Sequence, residues 1–318
     1  MSSPEAAGSG TERSRARGIV LLAPTNGSVM PSLRAWLDGA RPRTLPAAVA
    51  PVLAGTGAAA LEESASAGRA LLAAGVALAL QVAVNFANDY SDGVRGTDDV
   101  RVGPTRLTAS GTVAPAAVKR AAMLSFAVAA VFGIALCAVS GQWWLLAVGA
   151  VCVAAAWFYT GGRRPYGYAG LGEVSVFVFF GLVATLGTTY TQAGRITAPA
   201  VLAACGIGFL ACALLMVNNI RDIPTDREAG KHTLAVRIGD VWARRGYALF
   251  LALGVAGPVL IALWAPLALL LAIAVIPVVV LAGRVVGGAQ GRDLILVLRD
   301  TGFLELAVGL GLLVTLLV

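Results

Sequence analysis

The polar stretch Asn218-Asn-Ile-Arg-Asp-Ile-Pro-Thr-Asp-Arg-Glu-Ala-Gly-Lys-His-Thr233, the second motif, directly follows a long apolar run. On a helix that continues through Pro224, the side chains of Asn218, Asp222 and Asp226 share one face. Two carboxylates this close repel each other unless a cation lies between them, and oxygen donors suit a hard divalent ion such as Mg²⁺. Because bound Mg²⁺ is commonly shared with substrate phosphates, the column predicts half of a diphosphate site.

An earlier stretch, the first motif, starts in the same way. Asn85-Phe-Ala-Asn-Asp-Tyr-Ser-Asp-Gly-Val-Arg-Gly-Thr-Asp-Asp99 follows another apolar run and repeats the Asn-to-Asp spacing at Asp89. Gly93 stands where the second motif has Asp226, so the copies are not identical. Internal repetition on this scale predicts two similar helical halves that face each other around a central cavity. The further carboxylates of the first motif are Asp92, Asp98 and Asp99.

The composition places the chain in the membrane. It is 58% hydrophobic and 13% charged with a mean hydropathy of +0.81, whereas soluble domains carry about 25% charged residues. Apolar stretches long enough to cross about 30 Å of hydrocarbon predict an all-α polytopic bundle of about nine transmembrane helices. The predicted spans are residues 44–61, 70–90, 118–140, 143–160, 171–190, 199–219, 245–263, 266–283 and 300–318.

The basic residues predict the orientation of the bundle. Of 24 Lys and Arg residues, all except Arg69 and Arg195 fall in the N-terminal segment or in loops on one side of the predicted bundle. The positive-inside rule therefore predicts a cytoplasmic N-terminus and cytoplasmic motifs, in the cell membrane. The net charge of +7 then reflects topology and anionic head groups or substrates, because no soluble basic domain is present to bind nucleic acid.

The N-terminal segment differs from the rest of the chain. Residues 1–29 are rich in Ser, Gly, Ala, Glu and Arg, which predicts a disordered cytoplasmic tail before a transmembrane domain at residues 30–318. Met30 directly precedes the first segment that looks ordered, so either Met1 or Met30 is expected to be the start.

Residues outside the two Asn-to-Asp columns are further candidates. Arg43, at the entrance of the first span, either fixes topology or reaches a carboxylate on a substrate. The rings of Tyr159, Tyr166 and Tyr168 cluster on the same side as the carboxylates, where they are suited to line an acceptor pocket or stabilise an allylic cation. Glu173 is either an interfacial helix charge or part of the cavity. Loop cations that are expected to bind diphosphate are Arg101, Arg106 and Lys231.

These features suit an isoprenoid diphosphate, whose head needs metal and cations and whose tail needs hydrocarbon. Two Mg²⁺ ions that bridge Asp89, Asp92, Asp222 and Asp226 are expected to neutralise the diphosphate as it leaves. Ionisation then leaves an allylic cation, which an electron-rich aromatic ring captures in a site closed to bulk water.

At these residues the sequence resembles the UbiA superfamily of intramembrane aromatic prenyltransferases, which have two Asp-rich motifs. Asn88-Asp-Tyr-Ser-Asp92 matches the start of the first family motif, and Asp222-Ile-Pro-Thr-Asp226 matches the second. Gly96 replaces the third Asp of the first family motif, which leaves open whether a neighbouring acid substitutes for it.

Further matches narrow the resemblance to the branch that acts on 1,4-dihydroxy-2-naphthoate in menaquinone synthesis. They are Arg-Pro-Arg-Thr-Leu-Pro, Tyr-Thr-Gly-Gly with Pro-Tyr-Gly-Tyr-Ala-Gly-Leu-Gly-Glu, and Gly-Lys-His-Thr-Leu-Ala-Val-Arg-Ile-Gly, within a match over residues 33–318. The resemblance implies a polyprenyl diphosphate donor, Mg²⁺, a lipid environment, and loss of CO2 to give demethylmenaquinone. Amides expected to bind substrate are Asn85, Asn88 and Asn218.

Two alternatives remain open at this point. One is a transferase of the same fold that uses another aromatic acceptor such as 4-hydroxybenzoate. The other is a transporter whose carboxylates bind ions, although transporters tend to place such charges near the bilayer midplane.

Overall fold

The computed structural model describes residues 32–97 and 106–318, and its regular elements in those residues are all helical. The predicted all-α class is therefore confirmed, whereas the predicted disordered tail lies outside the described residues. The α-helices are α1 Leu33–Ala40, α2 Leu45–Ala60, α3 Ala67–Arg95, α4 Pro115–Ser140, α5 Leu145–Thr160, α6 Gly172–Val176, α7 Ala184–Ala193, α8 Ala198–Glu228, α9 Leu234–Ile238, α10 Asp240–Leu260, α11 Val275–Val286 and α12 Gly291–Leu317.

The chain is a multi-pass membrane protein, with seven helices in the described residues that are long and apolar enough to cross a bilayer. One of them joins α6 to α7 through a π-helical segment, Phe177–Val183. The prediction of nine spans is not confirmed, because α2 and α5 have only 16 residues each. A helix of that size is about 24 Å long, less than the hydrocarbon thickness of about 30 Å. The pseudo-repeat and central cavity stay predictions.

Local sequence signals determine where α3 begins and ends. The Ser66 side chain caps the start of the helix by accepting a hydrogen bond from the Arg69 N–H at 3.4 Å. Gly96 ends the helix with φ of 73°, a conformation that glycine adopts without steric cost. Asp89 and Asp92 consequently lie in the last two turns of α3.

The second motif lies at the end of α8. This helix continues through Pro224 and ends at Glu228. The predicted column of polar side chains required such a continuous helix. Asn218, Asp222 and Asp226 therefore lie on one helix at the spacing that gives them a common face.

Small residues allow close approach between helices. A Cβ at Gly309 of α12 would lie 2.6 Å from the carbonyl oxygen of Ala50 in α2. At Gly181 it would lie 2.5 Å from the Cα of Gly208 in α8. Backbone contact of this kind is typical of membrane helices, whose association depends on tight packing.

At the end of the bundle opposite the motifs, arginine side chains join neighbouring helices. The Arg69 guanidinium donates to the carbonyls of Thr191 at 3.1 Å, Gln192 at 3.2 Å and Val139 at 3.0 Å. Arg195 pairs with Glu62 at the same end. Because α3 runs from Arg69 to its acidic last turns, the first motif lies at the other end.

We expect Gly309→Ala to lower the midpoint of thermal unfolding in detergent, because the new methyl group overlaps the backbone of α2. Overpacking of this kind costs about 1–3 kcal/mol. Gly283→Ala in α11 is the matched control, since a Cβ there meets nothing within 4 Å. Equal midpoints for the two variants, measured by tryptophan fluorescence, would contradict close α2–α12 packing.

Candidate active site

Tyr168 lies where three segments meet. It belongs to a short 3₁₀ helix, Tyr166–Ala169, between α5 and α6. Its hydroxyl donates to the carboxylate of Asp92 in the first motif, and its carbonyl accepts from the His232 N–H of the second motif at 2.9 Å. The two motifs therefore come together at one end of the bundle, around Tyr168.

Asp92 is buried, with 4% of its surface exposed. Its Oδ2 lies 3.5 Å from the Nζ of Lys231, which is also buried and lies 4.7 Å from the centroid of the Tyr168 ring. The Lys231 N–H donates to the carbonyl of Asp226 at 2.7 Å, so the chain after α8 turns back toward α3. Lysine and tyrosine thus compensate a carboxylate that has been removed from water.

Tyr168 stays protonated in this setting. Burial raises the pKa of its hydroxyl, and the charge of Asp92 and its hydrogen bond with that carboxylate raise the pKa further. The hydroxyl therefore remains a donor to Asp92 across the pH range of ordinary assays.

Asp89 has structural partners that its sequence position does not indicate. Its Oδ2 accepts the N–H of Leu107 at 2.9 Å, and its Oδ1 accepts the N–H of Thr108 at 2.9 Å. The carboxylate is fully buried and fixes the segment that precedes α4. Oxygen lone pairs remain for a further partner, so a metal contact of Asp89 stays a prediction.

The amides of the first motif hold neighbouring segments. Asn85 donates to the carbonyl of Ala40 at 2.9 Å and to the hydroxyl of Thr44 at 3.0 Å. Asn88 accepts from the hydroxyl of Thr160 at 2.7 Å. These bonds position the segments after α1 and at the end of α5, and substrate contact by either amide stays a prediction.

On α8, a cation that was predicted only to fix the topology joins the column. Arg221 donates from Nε to Oδ1 of Asp222 at 2.7 Å and from NH2 to Oδ2 at 2.8 Å. The same guanidinium donates to Oδ1 of Asn218 at 2.8 Å. Its position beside Asp222 and three residues after Asn218 was the signal that could have identified it. Asp226 lies one turn further along the helix.

Arg95 is a second cation whose role was not predicted from the sequence. Its guanidinium donates to the carbonyls of Thr160 and Gly162, and it lies 5.6 Å from the ring centroid of Tyr168. It therefore fastens the end of α3 to the segment after α5. Its position in the last turn of a helix, where cations are favoured, was the available signal.

The other predicted tyrosines contact each other. The rings of Tyr159 and Tyr166 meet edge to face with centroids 5.5 Å apart. The Tyr166 hydroxyl lies 2.8 Å from the carbonyl of Ala155, to which it donates, and 3.2 Å from the Ser175 hydroxyl. Tyr166 thus braces the turn that carries Tyr168.

The remaining predicted cations differ in placement. Arg43 is exposed on the 3₁₀ helix Pro42–Thr44 at the start of α2. Arg106 is half-buried next to the segment that Asp89 fixes. Arg101, like the acids Asp98 and Asp99, lies outside the described residues.

Within residues 32–97 and 106–318, no group of three or more His, Cys, Asp or Glu side chains is gathered as a metal site. The donor chemistry nevertheless fits a hard ion, because Asp92, Asp222 and Asp226 supply only oxygen. Asp92 and Asp222 are each paired with one cationic side chain, Lys231 and Arg221. Both carboxylates therefore lie directly beside positive charge.

Asp89→Asn is expected to destabilise the fold as well as the site, because one amide NH2 would face a backbone N–H donor. A buried donor left without an acceptor costs about 1–3 kcal/mol. We expect a lower thermal midpoint and faster proteolysis between α3 and α4. Asp38→Asn, the same change at an exposed position in α1, is the control, and equal behaviour of the two variants would refute the capping role.

Comparison with known proteins gives the family. The family model described as "UbiA prenyltransferase family" matches residues 48–292. A Mycobacterium tuberculosis protein named 1,4-dihydroxy-2-naphthoate octaprenyltransferase is 53% identical over 86% of this chain and 93% of its own length. Its Escherichia coli namesake is 42% identical over 69% and 73%. The solved structure of a UbiA homolog from Archaeoglobus fulgidus bound to GPP and Mg2+ has a TM-score of 0.66 at 14% identity and covers 88% of this chain and 99% of its own. The chain belongs to the UbiA prenyltransferase family.

Proposed function

We propose that the chain transfers a polyprenyl group from polyprenyl diphosphate to 1,4-dihydroxy-2-naphthoate. The products are demethylmenaquinone, CO2 and diphosphate. The observation that carries this proposal is the 53% identity, over 86% of the chain, to a relative named for this acceptor. The meeting of both motifs around Tyr168 supports a single site for the reaction.

The diphosphate of the donor binds at the end of the bundle where the motifs meet. Lys231 and Arg221 pair with Asp92 and Asp222 in the free protein. When the diphosphate binds beside these acids, both cations are expected to form hydrogen bonds with its phosphate oxygens instead. The prenyl chain extends along the apolar helices. This arrangement places the charged head and the hydrocarbon tail in matching surroundings.

Mg²⁺ is the expected cofactor. Asp92, Asp222 and Asp226 would hold it, with Asp89 as a further predicted ligand. When bound, it supplies positive charge that stabilises the diphosphate as a leaving group. The names of solved relatives, which include complexes with Mg2+ and GPP or DMAPP, support this assignment.

The acceptor ring captures the allylic cation next to the diphosphate. Arg43 is proposed to bind the carboxylate of the acceptor, and Thr44 beside it is held by Asn85. The ring of Tyr168, which lies beside Asp92 and Lys231, is proposed to stabilise positive charge through its π electrons. The segment fixed by Asp89 helps to exclude water, which would otherwise consume the cation.

The site is proposed to open toward the cytoplasm, in the plasma membrane. Arg69 and Arg195 lie at the end opposite the motifs, while the many loop cations follow the positive-inside rule. A cytoplasmic mouth gives access to soluble aromatic acids.

Purified protein in detergent with Mg²⁺ and a polyprenyl diphosphate is expected to prenylate dihydroxynaphthoate with release of one CO2 per product. 4-Hydroxybenzoate, supplied in a parallel reaction, is expected to give little product. Mass spectrometry of the extracted lipid checks both outcomes. Product from hydroxybenzoate alone would assign the chain to the other acceptor class.

Asp92→Asn is expected to lower turnover about 100-fold or more, which corresponds to about 2.7 kcal/mol of transition-state stabilisation. The buried carboxylate that pairs with Lys231 is lost, while the shape is kept. Asp300→Asn on α12 is the matched control, because Asp300 also pairs with a cation, Arg299, but lies outside both motifs. Near-wild-type turnover of the Asp92 variant would remove this carboxylate from the diphosphate site.

A further inference from the structure

Glu173, at the start of α6, is a buried acid that the proposed reaction has not used. It is 4% exposed. Its Oε1 accepts a hydrogen bond from Nδ2 of Asn219 at 3.1 Å. Asn219 is itself buried and lies on α8 about one helical turn before Asp222. Glu173 therefore contacts α8 within the second motif, about one helical turn from Asp222.

The second carboxyl oxygen of Glu173 has no donor. Oε2 is buried, and no residue in the described part of the chain forms a hydrogen bond with it. A buried polar atom left in this state costs about 1–3 kcal/mol. Such atoms are rare in native proteins, and what distinguishes Glu173 is that its other oxygen is bonded to a residue of the second motif.

A pair of tyrosine rings lies next to the start of α6. A Cβ at Gly172, the residue before Glu173, would lie 3.0 Å from the hydroxyl oxygen of Tyr159. Tyr159 in turn packs edge to face on Tyr166. The start of α6 thus contacts a tyrosine pair, and the Glu173 carboxyl group contacts the second motif through Asn219.

We propose that Oε2 of Glu173 binds a ring hydroxyl of the aromatic acceptor and takes its proton during the reaction, with Asn219 holding the carboxylate in place. This inference rests on the proposed function and deepens it. The ligand class is a phenol or naphthol with a carboxylate next to the hydroxyl. The hydroxyl supplies the donor that Oε2 lacks.

The proton balance of the step follows from the acceptor. As the ring carbon that bears the carboxylate bonds to the allylic carbon, the O–H bond breaks, its electrons form a carbonyl and the proton passes to Glu173. Loss of CO2 from the same carbon returns the bonding electrons to the ring as an enolate. The enolate oxygen takes the proton back from Glu173, so the residue is regenerated and no outside oxidant or reductant is needed.

Glu173→Gln is the central test, made on the full chain in detergent. General-base catalysis contributes about 10²–10⁴-fold, so kcat is expected to fall about 100-fold or more, while KM for the prenyl diphosphate changes less than about 2-fold. Acceptor analogues with more acidic hydroxyls are expected to reduce the difference in kcat between wild type and variant, because their reaction depends less on a general base. A purely structural defect would slow all acceptors equally.

Glu305→Gln is the matched control. Glu305 is fully buried on α12, and neither of its carboxyl oxygens has a hydrogen-bond partner in the described residues, but it lies outside both motifs. We expect its turnover to stay within about 2-fold of wild type. An equal loss in both variants would show that any buried acid matters in this way, and would overturn the specific role of Glu173.

Asn219→Ser covers the case in which Glu173→Gln does not fold. It removes the amide that orients the carboxylate and keeps the acid, so we expect about a 10-fold loss of kcat with the same dependence on acceptor acidity. An Asn219→Ser rate within about 2-fold of wild type would overturn the proposal. If wild type makes no product from dihydroxynaphthoate, the proposed function fails first. If wild type is active and Glu173→Gln matches it, only this inference fails.

Discussion

The burial of Asp92 between the Tyr168 hydroxyl and the Lys231 ammonium is the interaction on which the site depends. A carboxylate withdrawn from water is tolerated only when it is paired and hydrogen-bonded, and removal of one partner from such a pair costs about 3–5 kcal/mol. The three residues come from α3, the turn after α5 and the loop after α8. Satisfying one charge therefore fixes the relative positions of three distant parts of the chain.

The same requirement explains why the site is rich in cations before any substrate binds. Arg221 donates two hydrogen bonds to the Asp222 carboxylate, at 2.7 and 2.8 Å, and Asp92 is paired with Lys231. Asp89 is satisfied differently, by two backbone N–H groups. An acid held by main-chain donors is committed to the fold, whereas an acid held by side-chain cations is able to exchange them for other partners. Asp92 and Asp222 are accordingly better suited than Asp89 to release their partners to an incoming anion.

The sequence predicted those parts of the structure that depend on local spacing. The column on α8, including its passage through Pro224, follows from helical periodicity, and the distribution of cations placed Arg69 and Arg195 at the end opposite the motifs. Contacts between distant segments were not predictable, because nothing near Asp89 indicates that its partners are the backbone of Leu107 and Thr108. The count of nine spans is not confirmed for a related reason, since hydropathy does not detect the turns that limit α2 and α5 to 16 residues each.

Polarity along α8 changes in the order that an amphiphilic substrate pair requires. Asp226 and Asp222 lie nearest the end of the bundle, Asn219 follows one turn deeper, and the buried Met216 and Ala213 come next. Full charge thus gives way to a neutral amide and then to hydrocarbon within about four turns. A diphosphate, an aromatic ring and an isoprenoid chain have the same sequence of polarities. With the proposed substrates, desolvation would favour this alignment along α8, with the ring at the depth of Asn219 and its partner Glu173.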